Sequence, residues 1–325
     1  MARVIVIGAR RRRQGVGEFL AQAFSGAGAD VCAVVGTSPE TAALAQTQLR
    51  ERHGIRCTAY SSVETALRSE NPDIVAICSP FEVHYEQLQA VQRAGAHCLC
   101  EKPLWWGESG DRIAATESIV DGFAAQNRYL ALVTQWPYTL PAFYRIYPEQ
   151  ENRPVASFHM RLSPTRAGLN MVLDSVPHLI SMLRHLLGYG TIATVRARFP
   201  GSGESRLELD FEYRHDAGST GVRFEASVCV DPPRPASYAI NGLRVERRIA
   251  LPQYRTSFVG PNRQVEVQDP LTLLAVDYLN KVQTRRATDR RGLIESIAAL
   301  EVLYASASAA ATGDARYGAS PARHR

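Results

Sequence analysis

The sequence predicts an α/β protein: an N-terminal Rossmann-type, doubly wound parallel sheet, followed by an α+β domain built on a large, mostly antiparallel open sheet. Three observations predict it. Over the first hundred or so residues, apolar strand-like runs alternate with helical segments, which implies a parallel sheet covered on both faces. Farther along, apolar residues alternate singly, as in Leu207, Leu209, Phe211 and Tyr213, and mark strands buried on one face. A chain of 325 residues, 45% of them hydrophobic, is long enough for two cores rather than one.

In the first domain, residues 1–128, strands are expected at 4–7, 30–35, 57–60, 74–77 and 97–100. Helices between them fall at 17–27, 39–52, 62–68 and 82–94, the last closed by Gly95, since glycine readily takes the left-handed turn that ends a helix. A sixth strand at 129–135 completes the sheet and hands the chain to the second domain, 129–315. There Val222, Phe224, Ala226, Val228 and Val230 continue the alternation, and Asn241-Gly242 between 237–240 and 243–247 signals a two-residue hairpin. Helices at 167–187, 270–285 and 292–311 are available to cover one face of that sheet. The other face is left for solvent or a second subunit. Residues 316–325 are small, polar and basic, and read as a disordered tail.

Composition excludes several classes. The N-terminus lacks the apolar run of a secretion signal, and no stretch reads as the roughly 20 apolar residues of a membrane span, so a soluble, cytoplasmic chain without a membrane partner is expected. Net charge is +5, but the surplus is spread along the chain except at 10–13 and in the tail. Four arginines without interleaved aromatics argue against a nucleic-acid partner. The six cysteines, Cys32, Cys57, Cys78, Cys98, Cys100 and Cys229, show neither a CxxC pair nor zinc spacing; they are expected to be buried thiols, with no metal. Among 37 basic residues only Lys102 and Lys281 are lysines. An ammonium can have its pKa lowered and give up a proton, which a guanidinium does not do, so a lysine kept against this bias is a candidate for chemistry. Lys281 reads as a surface cation on a helix.

After the first strand the chain reads Gly8, Ala9, Arg10, Arg11, Arg12, Arg13, Gln14, Gly15, Val16, Gly17. A dinucleotide fold places its glycine-rich turn here, and Gly8, Gly15 and Gly17 allow the backbone to approach a diphosphate at a helix N-terminus. A solvated basic loop is the alternative. A carboxylate about 20 residues beyond the glycines would read the ribose diol of NAD. Here Thr37 and Ser38 precede the first acid, Glu40, and with Arg10 and Arg13 they suit a 2'-phosphate, so NADP(H) is expected over NAD(H).

Hydride removal from a carbinol needs a base for the hydroxyl proton and a donor or cation at the developing alkoxide. Lys102 follows the fifth strand, and Pro103 restricts the backbone beside it. His178 titrates near neutrality, and Asp174, four residues earlier, shares its face if the helix has begun. Simpler readings exist for each: Lys102 as a surface residue, Asp174 as the cap of a helix at 175–187, His178 as a core histidine. Trp105 with Trp106, and Gln135 with Trp136, either line a substrate pocket or pack at a hinge.

The segment from Asp73 through Ser79-Pro80 and His84 to Glu101-Lys102-Pro103-Leu104, with Asp174 and His178 at Asp-x-x-x-His spacing, resembles the glucose-fructose oxidoreductase, inositol dehydrogenase and MocA family. The resemblance covers about residues 1–315. It implies NAD(P)-dependent oxidoreduction of a sugar, cyclitol or related small polar molecule, and homodimers or homotetramers through the second sheet. It places Lys102, Asp174 and His178 at the catalytic positions, and Ser79, Pro80, His84 and Glu101 beside the nicotinamide. The lengthened arginine turn departs from the family's glycine motif. Two rival functions share this fold: reduction of a C=N bond, and cofactor binding without turnover in a regulatory protein.

Overall fold

The computed structural model describes residues 1–9, 16–107, 110–251 and 254–313, and the chain packs as two compact units. The first comprises Met1–Gln135 with Pro270–Ile294; the second comprises Trp136–Asp269 with Glu295–Arg325. The tail expected at 316–325 lies outside the described residues.

In the first unit β1 (Arg3–Ile7), α1 (Gly17–Gly26), β2 (Asp30–Val35), α2 (Pro39–His53), β3 (Thr58–Tyr60), α3 (Val63–Glu70), β4 (Ile74–Ile77), α4 (His84–Arg93), β5 (His97–Cys100), α5 (Arg112–Ala125) and β6 (Leu130–Leu132) follow in order. The six strands pair in parallel in the order β3-β2-β1-β4-β5-β6. Strands β1 and β4 are central, and every residue of β4 is buried, which is why they read as unbroken apolar runs. Chain order reverses between β1 and β4, and at such a switch point a crevice opens beyond the carboxyl ends of the strands. The segments after β1, β4 and β5 carry Gly8, Ser79 and Lys102.

Helix α5 has no counterpart among the expected elements. Its buried residues are Thr116, Ile119, Val120 and Phe123, and the apolar positions form no clean stripe. The first unit also runs past residue 128, the expected boundary, because Leu130–Leu132 pairs with β5. It further takes in the helix Pro270–Gln283, whose Tyr278 ring lies 6.2 Å from Phe24 and 5.3 Å from Tyr129. Thr288 joins the same edge, accepting from the Leu130 N–H at 2.9 Å, and Arg290 pairs with Asp121 at 2.6 Å.

The second unit contains α6 (Leu140–Ile146), β7 (Ser157–Leu162), α7 (Asn170–Leu187), β8 (Gly190–Arg198), β9 (Arg206–His215), β10 (Gly218–Ser227), β11 (Ala236–Ile240), β12 (Leu243–Ala250), β13 (Arg255–Val259) and β14 (Gln264–Val267). These eight strands form one sheet in the order β14-β13-β12-β11-β7-β10-β9-β8. The β7–β10 pair is parallel and the others are antiparallel. The Asn241-Gly242 hairpin forms as expected, with both residues at positive φ and Ile240 opposite Leu243. Phe158, Met160, Leu209, Phe224 and Tyr238 turn inward, and α7 lies over β7, β9 and β10. The alternate positions Arg161, Glu208, Asp210 and Arg223 carry charge on the outer face.

After α8 (Pro270–Gln283), α9 (Arg290–Thr312) is long and apolar enough by composition to cross a membrane, which amends the expectation that no stretch qualifies. Leu293, Ile297, Leu300, Leu303 and Ala307 are buried at helical spacing, as in a helix packed against its own protein. All six cysteines are free; Cys32, Cys98 and Cys100 are buried, whereas Cys57, Cys78 and Cys229 are half-buried.

Candidate functional site

In the first unit the turn after β1 lies flat against the segment after β4. Gly8 has φ +83°, and a Cβ there would lie 2.7 Å from the Cys78 carbonyl oxygen. A Cβ on Gly17 would lie 2.5 Å from the Gly8 carbonyl oxygen. Both contacts are with backbone, so neither position tolerates a side chain without moving the turn. Val16 precedes α1, Ala9 is buried behind it, and among the described residues no side chain caps the helix. Uncapped N–H groups at a helix start attract an anion. Arg10, Arg13, Gln14 and Gly15 lie outside the described residues.

At the end of β2, Ser38 is the cap of α2. Its hydroxyl accepts from the Thr41 N–H at 3.3 Å, while Thr41 Oγ1 accepts from the Ser38 N–H at 2.9 Å. Thr37 is exposed, with its hydroxyl 3.4 Å from that of Thr41. The Ser38 hydroxyl also holds the Glu40 carboxyl below the ordinary carboxylate range. The hydroxyl expected to meet a 2'-phosphate is therefore engaged locally, beside an exposed carboxylate.

Beyond β4, Ser79 donates to Gln87 Oε1 at 2.6 Å and Pro80 is exposed. His84, set beside the nicotinamide by the resemblance, is completely buried, and both ring nitrogens face carbonyl oxygens. Nε2 lies 2.9 Å from Ser79 O; Nδ1 lies 3.0 Å from Pro103 O and 3.2 Å from Leu104 O. Burial lowers its pKa, outweighing the opposite effect of these carbonyls. His84 thus braces the segment after β4 to the Lys102-Pro103-Leu104 segment, whose Lys102–Pro103 bond is cis.

Lys102 is not a surface residue. Its side chain is 9% exposed, with Nζ 3.9 Å from Glu101 Oε1. Burial and the Glu101 charge raise the Cys78 thiol, and burial raises Cys100, so both stay protonated. Trp105 departs from the pocket-lining expectation: it is buried, its indole N–H donates to Thr116 Oγ1 on α5 at 2.9 Å, and its ring packs 5.0 Å from Tyr85. Trp106 instead lies under the Arg112 guanidinium at 4.2 Å. Gln135 keeps its Oε1 buried without a hydrogen-bond partner in the described structure. Lys281 is the expected surface cation, paired with Asp277 at 2.7 Å.

In the second unit α7 begins at Asn170, so Asp174 lies inside the helix and is not its cap. Asp174 and His178 are therefore one turn apart on one face. Both are half-buried, and the His178 ring meets Trp136 edge-on at 6.5 Å. Trp136 is itself buried, packed edge-on against Tyr238 and Phe258 at 6.3 and 6.4 Å.

Two arginines that sequence reasoning missed complete this cluster. The Arg247 guanidinium lies 5.4 Å from the centre of the Trp136 ring, and its Nη2 donates to Arg234 O at 2.9 Å. Burial, aided by the Arg234 charge, pushes Arg247 down to about 10, so it remains a cation at neutral pH. Arg234 is lowered by burial, against the attraction of Asp174 and Cys229. The signal was present in β12, where Val245, Arg247 and Ile249 share one side of an alternating strand. An arginine among apolar neighbours is the informative exception.

Residues 2–131 match the model of an oxidoreductase family with an NAD-binding Rossmann fold, GFO_IDH_MocA. The chain is 29% identical over 229 residues to 1,5-anhydro-D-fructose reductase of Ensifer adhaerens, covering 65% of this chain and 63% of that protein. It is 38% identical over 61 residues to D-glucoside 3-dehydrogenase of Escherichia coli (strain K12), covering 18% and 17%. The match thus spans less than two thirds of the length of either relative. Among solved structures, UDP-N-acetylglucosamine 3-dehydrogenase from Acidithiobacillus ferrooxidans superimposes with TM-score 0.70 at 20% identity, covering 95% of this chain and 98% of that one. Levoglucosan dehydrogenase in complex with NADH and L-sorbose gives 0.69 at 14% identity, covering 96% and 97%. At these identities the structural likeness bears on the fold alone.

Proposed function

Residues 2–131 match the GFO_IDH_MocA oxidoreductase family, and from that premise we propose that the chain transfers a hydride between a nicotinamide dinucleotide and a hydroxyl-bearing carbon of a sugar-like substrate. The observation that carries this reading is the carboxyl edge of the first sheet. There a two-glycine backbone cradle at Gly8 and Gly17, an uncapped helix start and a nearly buried ammonium at Lys102 belong to one parallel sheet. The relatives named above support the sugar-like substrate through their own activities.

The cofactor would be held by Gly8, Ala9, Val16 and the N–H groups of α1 at its diphosphate, and by Ser79, Pro80 and Glu101 near its reactive end. When bound it supplies the hydride acceptor or donor. Lys102 presents its ammonium to the substrate oxygen and stabilises the charge that develops there. Glu101 pairs with that ammonium at 3.9 Å. His178 takes the hydroxyl proton in oxidation and returns it in reduction, and Asp174 orients the substrate or the imidazole. For cofactor choice, Glu40 favours NAD(H): a 2'-phosphate at the end of β2 would meet its carboxylate. This reverses the preference that Thr37 and Ser38 suggested.

Absorbance of the reduced nicotinamide, followed over a panel of sugars, cyclitols and their oxidised forms, tests the proposal. Turnover of at least one member is expected, and Lys102→Ala should lower it by about 100-fold while cofactor binding, measured calorimetrically, persists. Full activity in Lys102→Ala removes that residue from the mechanism. Cofactor binding with no turnover of any member returns the chain to a regulatory role.

A further inference from the structure

Within the second unit, two guanidiniums converge on the helix face that carries Asp174 and His178. Arg247 reaches it from β12 on the inner side of the sheet, stacked at 5.4 Å on Trp136, which in turn meets His178 at 6.5 Å. Arg234 reaches it from the segment before β11; its carbonyl accepts from Arg247 Nη2 at 2.9 Å, and its guanidinium feels the Asp174 charge. The Arg234 charge lowers the tendency of Arg247 to hold its own, yet the two are kept side by side. Among the described residues, the Asp174 carboxylate acts on Arg234.

The consequence is a local excess of one positive charge in a desolvated place. Among the described residues Arg247 Nε is buried and has no hydrogen-bond partner, although a buried donor is normally satisfied. Stacking on Trp136 offsets part of the cost of burying the cation but supplies no acceptor for that N–H. An oxygen of one planar anion at hydrogen-bond reach would satisfy Arg247 Nε.

We propose that this site recognises the carboxylate of a polyhydroxylated acid, so that the substrate is a sugar acid rather than a neutral sugar. This rests on the hydride-transfer reading for the placement of the reacting hydroxyl, but the binding claim stands on the second unit alone. Carboxylate fits better than a phosphate monoester on two grounds. One negative charge balances the excess, whereas a dianion would exceed it. The planar fork of a guanidinium also matches the two carboxylate oxygens. Asp174, already drawn to Arg234, is then left to accept from substrate hydroxyls.

Calorimetric binding to the full chain, with NAD(H) present, of D-gluconate and D-glucuronate against sorbitol and D-glucose tests this. The acids should bind at least about 30-fold more tightly than their neutral counterparts, the size expected when a buried charge gains its partner. That advantage should fall about 30-fold or more in Arg247→Met and be partly kept in Arg247→Lys. Arg234→Gln gives a second variant should Arg247→Met fail to fold, and the acid-to-neutral ratio of the unmutated chain decides without either. An advantage absent from the unmutated chain, or one that survives both substitutions, overturns the proposal. Turnover is read separately at the nicotinamide band. Acid binding without turnover leaves this inference standing and overturns hydride transfer. Turnover of neutral sugars with no preference for acids does the reverse.

Discussion

Glu40 shows how one side chain changes the meaning of its neighbours. Thr37 and Ser38 invite a phosphate in the sequence, but the Ser38 hydroxyl caps α2 and hydrogen-bonds to the Glu40 carboxyl, which keeps that group ionised. A 2'-phosphate brought to the end of β2 would then face a like charge. Glu40→Gln removes the charge while keeping an acceptor for Ser38. It should raise the ratio of kcat/KM for NADP(H) over NAD(H) by about tenfold, a modest share of a like-charge penalty. Steady-state kinetics with both cofactors measures it. A ratio that does not move would mean that the cofactor is not read at the end of β2. The same exercise applies to His84, which the family resemblance set beside the nicotinamide. Its surroundings, three backbone carbonyls and no exposed surface, are long-range features that the linear pattern does not contain.

At the scale of elements, the first strand and first helix were legible because each is continuous in sequence and their junction requires glycine. Gly17 sits where a Cβ would lie 2.5 Å from the Gly8 carbonyl oxygen and 2.8 Å from Ala9 Cα, both backbone atoms that cannot rotate away. Gly17→Ala must therefore lift the turn off α1. The expected cost is about 1–3 kcal/mol of stability, as for overpacking elsewhere, together with a loss of cofactor affinity of about tenfold or more. Denaturant unfolding and calorimetric titration would record the two effects. Gly26, with nothing within 4 Å of its Cβ position, is the control, and equal losses in Gly26→Ala would remove the steric explanation. Elements without such local constraints were harder to see. α5 lacks a clean apolar stripe, and α7, expected over 167–187, starts at Asn170, four residues before Asp174, the cap of the simpler reading, because Pro177 is accommodated inside the helix rather than near its beginning.

For the whole molecule, what the sequence hid were pairings between distant segments: α8 joined to the first sheet's unit, Trp105 satisfied by Thr116, Arg247 stacked on Trp136. These depend on tertiary packing, and periodicity within a window carries no information about them. The same burial sets the response to pH. His84, His97 and His159 all have pKa values lowered from 6.5, in each case chiefly by burial, with Arg128 adding to the effect at His97 and Arg244, Arg223 and Arg161 at His159. In each, the unfolded chain binds a proton more readily than the folded one. Folding is thus fully favoured by these groups above pH 6.5 and loses that contribution as pH falls through the lower folded values. Glu225 acts in the same direction at lower pH. Burial opposes its ionisation, but the Arg223 hydrogen bond and the His159 and Arg161 charges bring its pKa below 4.5. The melting temperature should therefore be level between pH 8 and 7 and fall by several degrees between pH 6.5 and 5, since about 1.4 kcal/mol accompanies each unit of difference. His84→Gln, which retains a donor for one carbonyl, should melt lower at pH 7 and show a shallower decline. A melting temperature that stays level or rises on acidification would mean that the three imidazoles are already protonated in the folded chain.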